Sequence, residues 1–128
     1  MRIFKTRWFA HFAQKEQIGD DKLLEIVTEL EGQQFEADLG GGVIKKRLAR
    51  PGQGKSSGYR LIICFRSELR TLFIYAYAKS GQSDIGPNDL RAFRAAARRL
   101  FALTELELDQ AVAAGRLLEL EAVSDQKL

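Results

Sequence analysis

The sequence predicts an α+β domain in which two helices from the N-terminal part and one from the C-terminal part pack on a small, mainly antiparallel twisted sheet. Three observations point there. Apolar residues follow helical spacing from about residue 6 to 33, the pattern changes to period two with β-branched and aromatic residues across 43–79, and helical spacing returns after Pro87. At 128 residues the chain has the length of one domain, enough to bury roughly two-thirds of its unfolded surface without a metal or disulfide staple. With 45% hydrophobic and 29% charged residues its composition is that of an ordinary globular protein.

Residues Arg2 to Lys5 read as a short strand, and Thr6 as the N-cap of a helix whose Trp8, Phe9, Phe12 and Ala13 form a core stripe. Gly19 and Asp20 restart the pattern. Leu23, Leu24, Val27 and Leu30 then define a second helix over about 21 to 33, which is expected to pair antiparallel with the first over the sheet. Gly40, Gly41 and Gly42 mark a turn into VIKKRLA, where Ile44, Lys46 and Leu48 alternate with Val43, Lys45 and Arg47 as on a half-exposed strand. Arg50 to Ser56, with Pro51, Gly52 and Gly54, is a basic turn-rich loop suited to touch phosphate. YRLIICF and RTLFIYAYAK, joined by a short hairpin at SEL, are apolar on both faces and read as central strands.

A helix starting within Asp84 to Asp89 puts Leu90, Phe93, Ala97 and Leu100 on one face and Arg91, Arg94, Arg98 and Arg99 largely elsewhere. Thr104 followed by Glu107 is a capping-box pattern for a further short helix, which Gly115 should end. Leu117, Leu118 and Leu120 then form an edge strand or dock against a helix. The reading is one domain over 1–103 with a short acidic helical extension over 104–128.

The lone Cys64 cannot form an internal disulfide, the N-terminus lacks the apolar core of an export signal, and no segment is long and apolar enough to span a bilayer. A cytoplasmic protein without a membrane partner is expected. Net charge is only +3, but its distribution is uneven. Between Val43 and Arg70 eight basic residues face one acid, Glu68, whereas from Thr104 onward six acids outnumber Arg116 and Lys127. The acidic tail is therefore expected to complement the basic block within the molecule.

Several motifs carry little chemistry. ARPGQGKSSG approaches a phosphate-binding loop, but Ala49 takes the place of the first glycine and a strand follows where a helix is needed. His11, the single histidine, reads as a capping or packing residue. No Cys/His set can hold zinc, so neither metal nor cofactor is expected. Glu25, Glu29 and Glu36 read as solvated helix faces away from the basic block. The strongest signal is the basic hairpin, whose charge spans two strands and their loop beside Tyr59, Tyr75 and Tyr77. Exposed tyrosines there would stack on bases, and the pattern favours nucleic-acid contact over an edge merely charged against aggregation.

SSGYRLIICF followed by LRTLFIYAYAKS resembles the RelE/HigB toxin superfamily, which includes ParE-type members, in its glycine, aromatic, arginine and apolar-strand signature. The element order is similar too, over roughly residues 1 to 103. The resemblance implies a toxin of a toxin-antitoxin pair: a metal-independent endoribonuclease that cuts mRNA on the ribosome, uses the RNA 2′-hydroxyl as nucleophile and is silenced by a cognate antitoxin. It assigns Lys45, Arg47, Arg60 and Lys79 to the catalytic phosphate site. Lys46, Arg50, Lys55, Tyr59 and Arg66 become RNA contacts, with Lys46 the alternative to its neighbours if the strand register shifts by one. Ser80 and Ile85 stand near positions where many relatives carry an arginine and a tyrosine or histidine, which leaves proton transfer to a lysine, Lys45 or Lys55. Alternatives are a ParE-like topoisomerase inhibitor acting by protein contact and a catalytically inactive RNA-binding relative.

Overall fold

The computed structural model describes residues 1–50, 58–79 and 85–121. Its elements run β1 (Arg2–Thr6), α1 (Arg7–Lys15), α2 (Asp20–Glu31), β2 (Ala37–Asp38), β3 (Val43–Leu48), β4 (Tyr59–Arg66), β5 (Arg70–Ala78), α3 (Pro87–Ala102), α4 (Glu105–Ala113) and β6 (Leu117–Leu120). The six strands form one sheet in the order β2-β3-β4-β5-β1-β6. Neighbours are antiparallel except β1 and β5, which are parallel, so the sheet is mixed.

Local chemistry accounts for most of the boundaries. Thr6 caps α1 by accepting from the Phe9 N–H at 3.2 Å, and Pro87 opens α3 where its missing N–H costs nothing. Thr104 and Glu107 close a reciprocal capping box on α4, with bonds of 3.1 and 2.8 Å. The turn before β3 needs its glycines, because Gly40, Gly41 and Gly42 all have positive φ. A Cβ on Gly42 would also stand 2.5 Å from the Phe101 ring.

The sheet separates two apolar layers. On one face Phe9, Ala13, Leu23, Ile26, Val27 and Leu30 of α1 and α2 meet Ile3, Ile44, Leu48, Leu61, Ile63 and Phe73. On the other, Val43, Ile62, Cys64 and Leu72 meet Ala97 of α3 and Leu108 and Ala111 of α4. Each large side chain buried in this way stabilises the fold by roughly 1.5–3 kcal/mol. Burial also pushes the Cys64 thiol up to about 12, which leaves it an inert packing group.

The structure differs from the sequence expectation at several points. The capping box opens a fourth helix, α4, as expected beyond the three of the layered fold, but α2 stops at Glu31 with Gly32 as its C-cap. A short strand, β2, precedes the glycine turn. Trp8 is not a core residue: it is 48% exposed, while Phe9 and Ala13 carry the burial of α1. Of the two fates open to Leu117, Leu118 and Leu120, the edge strand is the one realised, and β6 pairs antiparallel with β1.

Gly58 opens β4 where the backbones crowd. Its carbonyl accepts from the Lys79 N–H at 2.9 Å, and a Cβ there would lie 2.3 Å from the Leu48 carbonyl oxygen. Gly58→Ala is therefore expected to push β3 from β4 and to destabilise the protein by about 1–3 kcal/mol. A lower urea midpoint with an unchanged slope checks this.

Candidate nucleic-acid interface

Strand alternation and pairing assemble the basic cluster. Val43 points into the α3 and α4 layer, so Lys45 and Arg47, two and four residues on, share its face. Arg47 pairs directly with Arg60 on β4, and Arg60 in turn with Tyr77 on β5. Two arginines directly opposite would repel. Glu36, just before β2, resolves the conflict: its carboxylate lies 2.8 Å from Arg60 Nε, 3.5 Å from Arg47 Nε and 3.9 Å from Lys45 Nζ.

Arg60 is only 4% exposed, and a guanidinium so enclosed needs a charged partner to remain in the fold. Glu36 supplies it, held in place because its own N–H donates to the Lys45 carbonyl at 2.8 Å. The reading of Glu29 and Glu36 as solvated acids away from the basic block is therefore corrected, since both pair with it. Three cations, Lys45, Arg47 and Arg60, thus gather on one carboxylate. An open cleft of about 420 Å³, lined by Gln34, Phe35, Glu36, Lys46 and Arg47, gives solvent access beside them.

The other sequence candidates are dispersed. Lys46 points to the opposite face, where it pairs with Glu29 of α2 at 2.8 Å and donates to the Gln34 carbonyl at 2.7 Å. Its role there is to tie β3 to α2. Tyr59 is 4% exposed, and its hydroxyl donates to Glu16. Desolvation first, and then that bond, raise its pKa above the ordinary phenol value. Such a ring is not presented to a base. Arg50 instead covers it, with the guanidinium 5.2 Å from the ring centre.

Arg66 lies six residues along β4 from Arg60, about 20 Å away by strand rise, and rests on the Phe101 ring at 4.2 Å. Lys79 follows β5, two residues after Tyr77, at the same end of the sheet as Arg60. Ile85 packs in the α3 layer. Lys55 and Ser80 lie outside the described residues.

The acidic extension does not meet this cluster. Glu105, Asp109 and Glu119 gather around Arg2 at 2.7–2.9 Å, and Glu105 also reaches Arg70 at 3.1 Å. Arg2 and Arg70 are register partners at the other end of the sheet. The Glu105 carboxyl is held below its ordinary value by these bonds, Arg2 first. Among the described residues the tail therefore meets the basic block only at Arg70, and the rest of its clasp forms on Arg2, away from the hairpin cluster.

A mixed sheet with helices on both faces, and a cationic cluster at one end of its central strands, defines an α+β protein equipped to meet an anion. The family model described as the RelE toxin of the RelE / RelB toxin-antitoxin system matches residues 1–120. The chain belongs to the RelE toxin family, and the match takes in α4 and β6, beyond the stretch over which the sequence resemblance was read. No curated protein and no solved structure matches it. Membership implies an antitoxin partner. Among the described residues, no helix is long and apolar enough to cross a membrane and no His, Cys, Asp and Glu group is placed to hold a metal ion.

Proposed function

We propose that the protein is the toxin of a toxin-antitoxin pair and acts as an mRNA endoribonuclease on the ribosome in the cytoplasm. The observation that carries this reading is the convergence of Lys45, Arg47 and Arg60 on Glu36 at one end of the sheet. Family membership supports it, since RelE toxins are generally endoribonucleases.

In this reading the phosphodiester enters against the exposed Arg47, with Arg60 behind it and Lys79 beside them. The RNA 2′-hydroxyl attacks the adjacent phosphorus and gives its proton to the Glu36 carboxylate. The phosphorus–5′-oxygen bond breaks, and the departing oxygen takes a proton from Lys45. The products are a 2′,3′-cyclic phosphate and a 5′-hydroxyl. The phosphorane carries more negative charge than the ground state, and the Arg47 and Arg60 guanidiniums favour it accordingly.

Induced expression in a bacterium without antitoxin, followed by 5′-end mapping of mRNA on stalled ribosomes, tests the reading. Growth arrest with cuts in A-site codons is the expected result. Arrest with intact mRNA would sink it in favour of topoisomerase inhibition, and undisturbed growth would mark an inactive RNA-binding relative.

A further inference from the structure

Helix α1 carries an exposed aromatic and basic face that the reaction above does not use. Trp8, His11, Phe12, Gln14 and Lys15 line an open groove of about 530 Å³, while Phe9 and Ala13 on the other side of the helix enter the core. Trp8, the single tryptophan of the chain, is held although exposed. Its ring stacks on Tyr75 with centroids 4.7 Å apart and lies nearly parallel to Phe12 at 5.7 Å.

None of the lining side chains is acidic, and Glu16, which follows Lys15, is engaged by the Tyr59 hydroxyl. Phe12 meets the Tyr59 ring edge-on at 5.3 Å, and Arg50 covers that same ring. Two cations thus adjoin the aromatic surface, Lys15 in the groove and Arg50 over Tyr59. The surface also neighbours the basic cluster through the sheet, because Tyr75 is 6.4 Å from Tyr77 and Tyr77 pairs with Arg60.

An indole kept in water beside rings and cations has the chemistry of a single-strand nucleic-acid subsite. Base faces meet rings, phosphates meet Lys and Arg, and amide or imidazole groups meet base edges. A partner's apolar helix would gain from the rings but would bring no phosphate to Lys15 and Arg50. We propose that the α1 groove binds an unpaired nucleotide of the RNA strand flanking the phosphate held at Arg60, with Trp8 as the base-contacting residue and Lys15 and Arg50 on the backbone. The proposal rests on the endoribonuclease reading for its substrate.

Because Trp8 is the only indole, its emission reports on this groove alone. Titrating a short single-stranded RNA into the full chain should change that emission saturably, with the effect weakened by salt. Labelled-RNA anisotropy should show binding about 10-fold weaker for Trp8→Ala, partly restored in Trp8→Phe, and weaker again for Lys15→Ala, which leaves the rings in place. RNA binding by anisotropy with unmoved Trp8 emission, no RNA binding at all, or emission that responds only to the antitoxin protein would each overturn the subsite. Ribosomal cuts by wild type judge the enzyme reading separately. Cuts undiminished in Trp8→Ala overturn the subsite alone, whereas saturable Trp8 quenching without any cuts supports the subsite and overturns the enzyme reading.

Discussion

Arg60→Ala is expected to lower ribosomal mRNA cleavage by about 10²–10³-fold, the range for removing one positioned charge donor from a developing oxyanion. The size follows from the position of Arg60. It is the member of the cluster closest to Glu36 and the most enclosed, so little water is present to replace it. Deleting it also leaves Glu36 without its shortest ion pair, and the variant should unfold at lower urea. Arg60→Lys separates the two effects. Lysine keeps the charge but not the planar fork that meets two oxygens together, so a folded Lys variant should regain only part of the activity. Wild-type cutting by a folded Arg60→Ala protein would remove Arg60 from the phosphate site.

Glu36→Gln should move binding and cleavage in opposite directions. Glutamine keeps an oxygen for Arg60 Nε but removes the negative charge from among three cations. Affinity for RNA should rise and become more salt-dependent, because phosphate no longer competes with a carboxylate. Cleavage of bound RNA should fall by about 10²–10⁴-fold, the contribution of a positioned proton acceptor. Single-turnover rates at saturating protein, measured beside equilibrium binding, distinguish the two. If both rise together, Glu36 serves only to hold the cations in place and is not the acceptor.

The parts of the molecule governed by local rules were legible in the sequence. Thr6 and Thr104 show themselves by cap spacing, the glycine turn by composition, and β4 and β5 by apolar runs that fit only a central position. What escaped depends on contacts across the chain. Glu36 joins residues from β3 and β4 that no periodicity connects to it. A signal was present in Phe35, Glu36, Ala37 and Asp38, whose alternation before Gly40 marks a strand and the first arm of a hairpin, yet two paired residues are too few to register as a run. Trp8 misleads for the opposite reason: its spacing with Phe12 is that of a core stripe, but the helix is only nine residues long and its core contact is made by Phe9 and Ala13. Arg2 gives no sign by itself that it will gather three acids more than a hundred positions away.

The place of β1 in the sheet bears on how the protein is made. β1 lies between β5 and β6, and both are synthesised well after it. Until Arg70–Ala78 emerges, Ile3 and Phe4 have no strand to pair with, and the clasp on Arg2 waits for Glu119. Because β1 pairs only with β5 and β6, the sheet is completed late in synthesis, however fast the pairing itself is. A nascent chain would then carry the basic hairpin of β3 and β4 before β1 was locked in place.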